Sequence, residues 1–362
     1  MKELEAIFTL AGTIIGVGFF SLPYLTMKVG IIPMLFYFLL LGGLIILVHQ
    51  IFAQIAISSP DYKRLPSFAK IYLGKLAQNI TFFLNILGSI GVLLAYLILG
   101  GSFLAQMVNG NENFWTFIYF LFGIIFIFLD IKLISKIESV SFLVFIVILF
   151  FIFFVSLPNL NLENLPWKKI DFSQLFLPYG PIIFSLWGAS LIPEIEEMLR
   201  DRKEKLKRVV FFSVFIPILV YIFFIFLVLS IAGNKTDPSA LLSLREFLGE
   251  KISFLTFVLG VLVTFTSFLT VGLTLKKIFW YDLKINKNLA FILTSFPPII
   301  LYFLGIKEFI PVISFIGAIC LGGEGLIILL IWKKINKRAN YLFLVGLLFL
   351  VGIFFEIFQV LK

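Results

Sequence analysis

The sequence predicts an all-α integral membrane protein of about 11 transmembrane helices: two five-helix units in opposite orientations, helices 1 and 6 broken, and an extra C-terminal helix. Three observations carry this. The chain has 362 residues, 61% hydrophobic and only 14% charged, where ordinary globular chains are about 45–50% apolar and about 25% charged. Its apolar residues fall into runs that match the roughly 20 residues a helix needs to cross a bilayer. Its basic residues gather in alternate connecting segments.

The apolar runs place the spans at 6–27, 31–57, 78–108, 114–129, 139–157, 175–193, 209–232, 252–275, 288–304, 309–332 and 340–358. They are too long for barrel strands and do not alternate apolar with polar residues, so helices are the spanning elements. The fourth and ninth runs are short, and the ninth contains Pro297-Pro298. Residues 1–157 then form a first five-helix repeat, 175–333 a second, inverted one, and 340–362 the eleventh helix, within one membrane domain. No linker is long enough for a separate soluble domain. The first run is long, has only Lys2 before it and lacks a small-residue cleavage site, so it reads as a retained span rather than a cleaved signal. Apolar spacing in the inner loop Ser58–Leu73 and in the outer segment Asp237–Glu250 predicts short surface helices.

With the N-terminus inside and the C-terminus outside, 21 of the 29 basic residues fall in cytoplasmic segments. Such an excess over alternate loops orients a multi-pass protein in the cytoplasmic (inner) membrane. It also accounts for the net charge of +9, through contact with anionic lipid headgroups and without nucleic acid. The single cysteine, Cys320, excludes an internal disulfide framework and a cysteine-based metal cluster. A single histidine, His49, argues against a histidine metal site or a Ser-His-Asp triad. Near Gln50 and Gln54, at the inner end of the second span, its expected role is structural or interfacial. No P-loop is present, and the sequence implies no cofactor, no metal, no catalytic residues and no obligatory protein partner.

The two units share a feature. The first span contains Gly12-Thr-Ile-Ile-Gly16-Val-Gly18-Phe-Phe-Ser-Leu-Pro23, and the sixth contains Phe184-Ser-Leu-Trp-Gly188-Ala-Ser-Leu-Ile-Pro193. Each has a glycine, four residues, then a proline. Glycine costs a helix interior about 1 kcal/mol and proline about 3. Matching interruptions in corresponding spans point to a transporter binding site, whereas glycines alone also serve helix packing.

These segments resemble the hydroxy and aromatic amino acid permeases of the amino acid/auxin permease group. Gly12–Pro23 is similar to that family's first-helix signature, and Ser185–Glu194 to its sixth helix. Thr266–Leu273 with Phe279–Asp282 resembles its eighth helix, and Phe68–Gly74 the loop before its third. Trp187 and the acidic run Glu194–Glu197 depart from the family's usual forms. The resemblance implies a LeuT-type fold of the APC superfamily with an amino acid substrate at the centre. It implies that unwound Gly16, Val17 and Gly18 offer N–H groups to a carboxylate. Carbonyls around Gly12, Thr13 and Ile14, and of Phe184 and Ser185, would accept from the ammonium; Trp187, Gly188, Ser190 and Tyr96 would shape the pocket.

Glu324, among glycines near the middle of the tenth span, is the acidic residue that most needs a role. An ionised carboxylate there costs roughly 2.5–3.5 kcal/mol on insertion scales, and burial favours its neutral form, as a proton carrier requires. Thr266 and Ser267 lie midway along the eighth span; in sodium-coupled relatives of this fold, hydroxyls here help ligate the ion, although such hydroxyls commonly bond their own helix. Glu356 is expected at the outer interface. Glu194, Glu196 and Glu197 are placed to pair with Arg200 and Arg202. The expected function is proton-coupled amino acid symport by alternating access. The alternatives are sodium-coupled symport, exchange, or a sensor that binds without transporting.

Overall fold

The computed structural model describes residues 2–58, 63–129, 134–167, 169–337 and 342–361. Among the described residues the regular structure is helical, with no strands. The first expected span is split into α1 (Lys2–Ile14) and α2 (Leu22–Val29), joined by Ile15–Gly16 and a 3-10 turn at Val17–Ser21. The two arms bend by 52°. The sixth is split in the same way: α8 (Tyr179–Leu186) and α9 (Ile192–Met198) flank Trp187-Gly188 and a 3-10 turn at Ala189–Leu191. Pro23 and Pro193 each lie in the first turn of the second arm, where a missing N–H removes no helical bond.

The other elements follow the apolar runs. They are α3 (Ile31–Ile57), a short α4 (Leu65–Leu73), α5 (Lys75–Val108), α6 (Glu112–Phe128), α7 (Ile134–Ser156), α10 (Leu206–Ala232), α11 (Leu241–Lys277) and α12 (Lys287–Phe303). The tenth run is α13 (Phe309–Phe315) and α14 (Gly322–Ile335), joined by a π-helical segment at Ile316–Leu321; α15 (Leu342–Val360) closes the chain. Among the described residues, six helices are long and apolar enough to cross a membrane, and the bent α1–α2 pair makes a seventh. The chain is a multi-pass membrane protein.

Both expected surface helices are present. α4 covers the second half of the loop Ser58–Leu73, whose residues 59–62 lie outside the described set. The other, in Asp237–Glu250, is the start of α11, set off from the rest by Gly249, whose φ of 75° suits a residue without a side chain. Pro297-Pro298 does not break α12.

In lipid, packing between helices depends on close approach more than on apolar burial. α8 lies directly on the π-helical segment: a Cβ added at Gly317 would stand 1.9 Å from the Gly180 carbonyl oxygen. α15 packs on the outside, through Phe349 against Gly325 and Tyr179 against Gly352, while Phe343, Leu344 and Phe354 remain exposed. One expectation is corrected here. Glu356 does not reach the interface; it is buried, and Ser314 of α13 donates to its carboxylate at 2.7 Å. The hydroxyl gives it a partner inside the protein.

On the face with the basic loops, Lys205 donates to Glu3, which also lies 3.6 Å from Arg202. Lys203 takes Glu196 at 2.9 Å. Of the two arginines expected to pair with Glu194, Glu196 and Glu197, Arg202 turns towards α1 instead, redirected by its non-helical φ of −144°. The Lys205 hydrogen bond, first among the nearby cations, holds the Glu3 carboxyl below the usual carboxylate range.

Candidate functional site

The site begins with the two interruptions and the contact between them. Gly16 is extended, at φ −106° and ψ −152°, and Trp187 likewise, at φ −77° and ψ 126°. The glycine of each break packs on the opposite span. A Cβ at Gly18 would stand 2.5 Å from Ser185 Oγ and 2.6 Å from the Phe184 ring; one at Gly188 would stand 2.8 Å from Ile14 Cγ1. Any side chain there would separate the two broken helices.

Breaking a helix strands backbone groups that lipid cannot satisfy, and here their partners are specific. The Tyr221 hydroxyl of α10 shares its proton between the carbonyls of Ile14 at 3.0 Å and Ser185 at 2.8 Å. Ile14 also accepts the Gly16 N–H at 2.8 Å, so its two lone pairs are used. His49 of α3, fully buried, accepts the Gly188 N–H on Nε2 at 3.0 Å. A nitrogen that accepts carries no proton, so the Nδ1 of this neutral ring is the donor to the Ile45 carbonyl at 2.8 Å. In an unbroken helix the Gly188 N–H would close on the Phe184 carbonyl, four residues back. His49 diverts that donor, and the Phe184 carbonyl loses its helical partner.

Between the breaks lies a cavity of about 130 Å³. It brings together most of the residues singled out from sequence: Thr13, Ile14, Gly16, Val17, Gly18 and Tyr96 on one side, and Phe184, Ser185, Trp187, Ser190 and Glu324 on the other. Gly12 lies one turn back in α1 and Gly188 packs on α1, both off the cavity wall. Thr266 and Ser267 do not line it either. The Thr266 hydroxyl donates to its own helix, at Leu262 (3.0 Å) and Val263 (3.3 Å).

Glu324 is buried and held by two donors, Asn85 Nδ2 on Oε1 at 2.8 Å and Trp187 Nε1 on Oε2 at 3.2 Å. The π-helical segment just before it offsets the turn that carries it into the bundle, a device common at functional sites. On the α2 side the break leads directly into Phe19 and Phe20, both buried. Phe19 stacks on Tyr221 with centroids 5.7 Å apart, and Phe20 meets Phe103 at 5.2 Å. In the other direction the lining continues through Thr270 and Thr274, towards the Lys277 end of α11, and through Leu191 and Glu194; Ser190 is exposed at this mouth.

Several of these residues escape a sequence reading. Thr270 and Thr274 continue the helical stripe of Thr266 at four-residue steps, and that spacing is a legible signal. Asn85 is an amide inside its apolar run. Tyr221 and Ser89 carry no pattern; only the packing identifies them.

The comparisons agree with this architecture. "Tyrosine-specific transport system 1" of Haemophilus influenzae is 24% identical over 365 residues, covering 94% of this chain and 90% of that protein. "Glutamine transporter 2" of Aliivibrio fischeri is 24% identical over 328 residues, covering 86% and 83%. Among solved structures, MhsT in complex with L-phenylalanine superposes with a TM-score of 0.67 at 16% identity, covering 98% of both chains. Mhp1, a nucleobase-cation-symport-1 family transporter in a closed conformation with bromovinylhydantoin bound, gives 0.66 at 11% identity, covering 99% and 90%. These two likenesses concern the fold, which is that of the LeuT-type transporters. The profile of the Tryptophan/tyrosine permease family matches residues 1–359, and with nearly its whole length inside that profile the chain belongs to the tryptophan/tyrosine permease family.

Proposed function

We propose that this permease is a proton-coupled symporter that moves an amino acid across the cytoplasmic membrane by alternating access, with its N-terminus inside. Amino acid transport follows from the family, and the names of the tyrosine and glutamine transport relatives agree with it. The observation that carries the rest is the cavity between the two breaks, where stranded backbone groups meet a buried carboxyl. The N–H groups at the start of the turn Val17–Ser21 suit a carboxylate, as helix starts do for anions. The Phe184 carbonyl, with its helical donor diverted, suits an ammonium. An α-amino acid satisfies both sets at once.

Glu324 is the proton carrier in this reading. Protonated, it is neutral and keeps Asn85 and Trp187 as partners. Once the cavity opens to the cytoplasm it releases the proton and is stabilised by the same two donors, so the two states differ by one charge within one set of contacts. In this reading, with the basic loops inside, the Thr274 mouth faces the cytoplasm, and the buried Phe19 and Phe20 lie on the opposite side of the break. That is an inward-facing arrangement.

Purified protein in proteoliposomes, given a labelled amino acid mixture and an inward proton or sodium gradient, tests this directly. Accumulation under the proton gradient alone is expected, and Glu324→Gln should abolish accumulation while preserving exchange. Accumulation under sodium alone would reassign coupling to oxygen ligands such as the hydroxyls of α11. Exchange without accumulation by the wild type would make it an antiporter, and binding without flux a sensor. Full proton-driven accumulation by Glu324→Gln would remove that residue from the mechanism.

A further inference from the structure

The side-chain end of the cavity is set by Trp187. This residue follows the last helical position of α8 with extended dihedrals, so its indole leaves the helical path and lines the cavity. The indole is fixed from several sides. Nε1 donates to Glu324 at 3.2 Å. It packs tilted against the His49 ring, with centroids 5.1 Å apart. The backbone immediately after it is pinned, since the Gly188 N–H is held by His49 Nε2 at 3.0 Å, and His49 is itself buried and anchored on Ile45. Swinging the indole aside would break a hydrogen bond to a buried carboxyl and strip the ring from His49. It acts as a wall and not as a gate.

The space left beside this wall is about 130 Å³, well below the roughly 300–1,000 Å³ of pockets for drug-sized ligands. The amino and carboxylate groups at the breaks take part of it. The lining of the cavity includes the hydroxyl residues Ser89 and Thr270. We propose that Trp187 restricts this permease to α-amino acids with small side chains, of the size of alanine, serine and threonine, and excludes aromatic ones. The inference rests on the reading of the two breaks as the amino acid site, and it adds the substrate class and the residue that sets it.

The test is ligand-induced thermal stabilisation of the purified full-length protein, with counterflow in proteoliposomes as a second readout. Alanine, serine and threonine should stabilise the wild type and drive counterflow. Tyrosine, tryptophan and phenylalanine should be weaker by at least about ten-fold, as a pocket too short for the side chain imposes. Trp187→Ala should gain aromatic binding. Trp187→Phe, which keeps the bulk and loses the Nε1 bond, should still exclude aromatics, separating size from hydrogen bonding. Should Trp187→Ala fail to fold, the wild-type profile still decides. Tyrosine or tryptophan bound by the wild type as tightly as serine would overturn the proposal and leave the transporter reading standing. No stabilisation by any α-amino acid would overturn both.

Discussion

His49, the one histidine, serves the site without touching it. Its two nitrogens have opposite duties, one accepting from Gly188 and the other donating to Ile45. His49→Ala strands a buried backbone N–H, which costs about 1–3 kcal/mol; the melting temperature in detergent should fall accordingly. Tyr221→Phe has a comparable cost on the same grounds. It removes the donor that the structure gives the Ser185 carbonyl, while Ile14 keeps the Gly16 N–H. Because Tyr221 bridges both breaks, its loss should lower the transport rate as well as the melting temperature. Gly18→Ala is expected to abolish substrate binding in a protein that still reaches the membrane, since the methyl would meet Ser185 Oγ and the Phe184 ring. Retained affinity would place the site elsewhere.

At the scale of elements, the bundle relies on places where backbones touch. α8 and the π-helical segment meet at Gly180 and Gly317 with no room for a Cβ, which keeps the first arm of the broken sixth span beside the helix that carries Glu324. Gly317→Ala cannot be absorbed by a side-chain rotation, because its neighbour is a carbonyl oxygen. A loss at or above the roughly 1–3 kcal/mol of ordinary overpacking is expected, read as a lower melting temperature together with lost transport. α15 is attached differently, through the Ser314–Glu356 hydrogen bond and the Tyr179 hydroxyl donating to Leu348 at 2.9 Å. Glu356→Gln retains an acceptor for Ser314 and should be mild. Glu356→Leu leaves Ser314 without that partner and should loosen the helix, which limited proteolysis would reveal.

Across the whole molecule, Glu3 with Lys205 and Arg202 ties the start of α1 to the turn between α9 and α10, on the face with the basic loops. The Glu3 carboxyl is held below its ordinary range, so the tie stabilises the fold above the unfolded-state value of about 4.3. It is lost as pH falls through the lower folded-state value. The wild type and Glu3→Gln should therefore differ in melting temperature at neutral pH and low salt, and converge on acidification. High salt should bring them together as well, because the partners are partly exposed and screened.

The helical membrane architecture was legible in the sequence because lipid demands long apolar runs and forbids unpaired backbone. Positions with no side chain, and prolines at fixed offsets, marked both breaks for the same reason: a helix cannot pass through Gly16-Val-Gly18 or Trp187-Gly188 unbroken without a motive that composition makes visible. Glu324 stood out because a carboxylate in an apolar run is costly. What the sequence by itself determined, then, is where the chain crosses, where it must unwind, and which buried charge needs a partner. Only the tertiary structure decided which groups answer those needs: His49 for the Gly188 N–H, Tyr221 for two carbonyls, Asn85 and Trp187 for Glu324. Those partners lie on helices far apart in the chain, and a hydrogen bond depends on a distance of about 3 Å, which no local pattern of residues encodes.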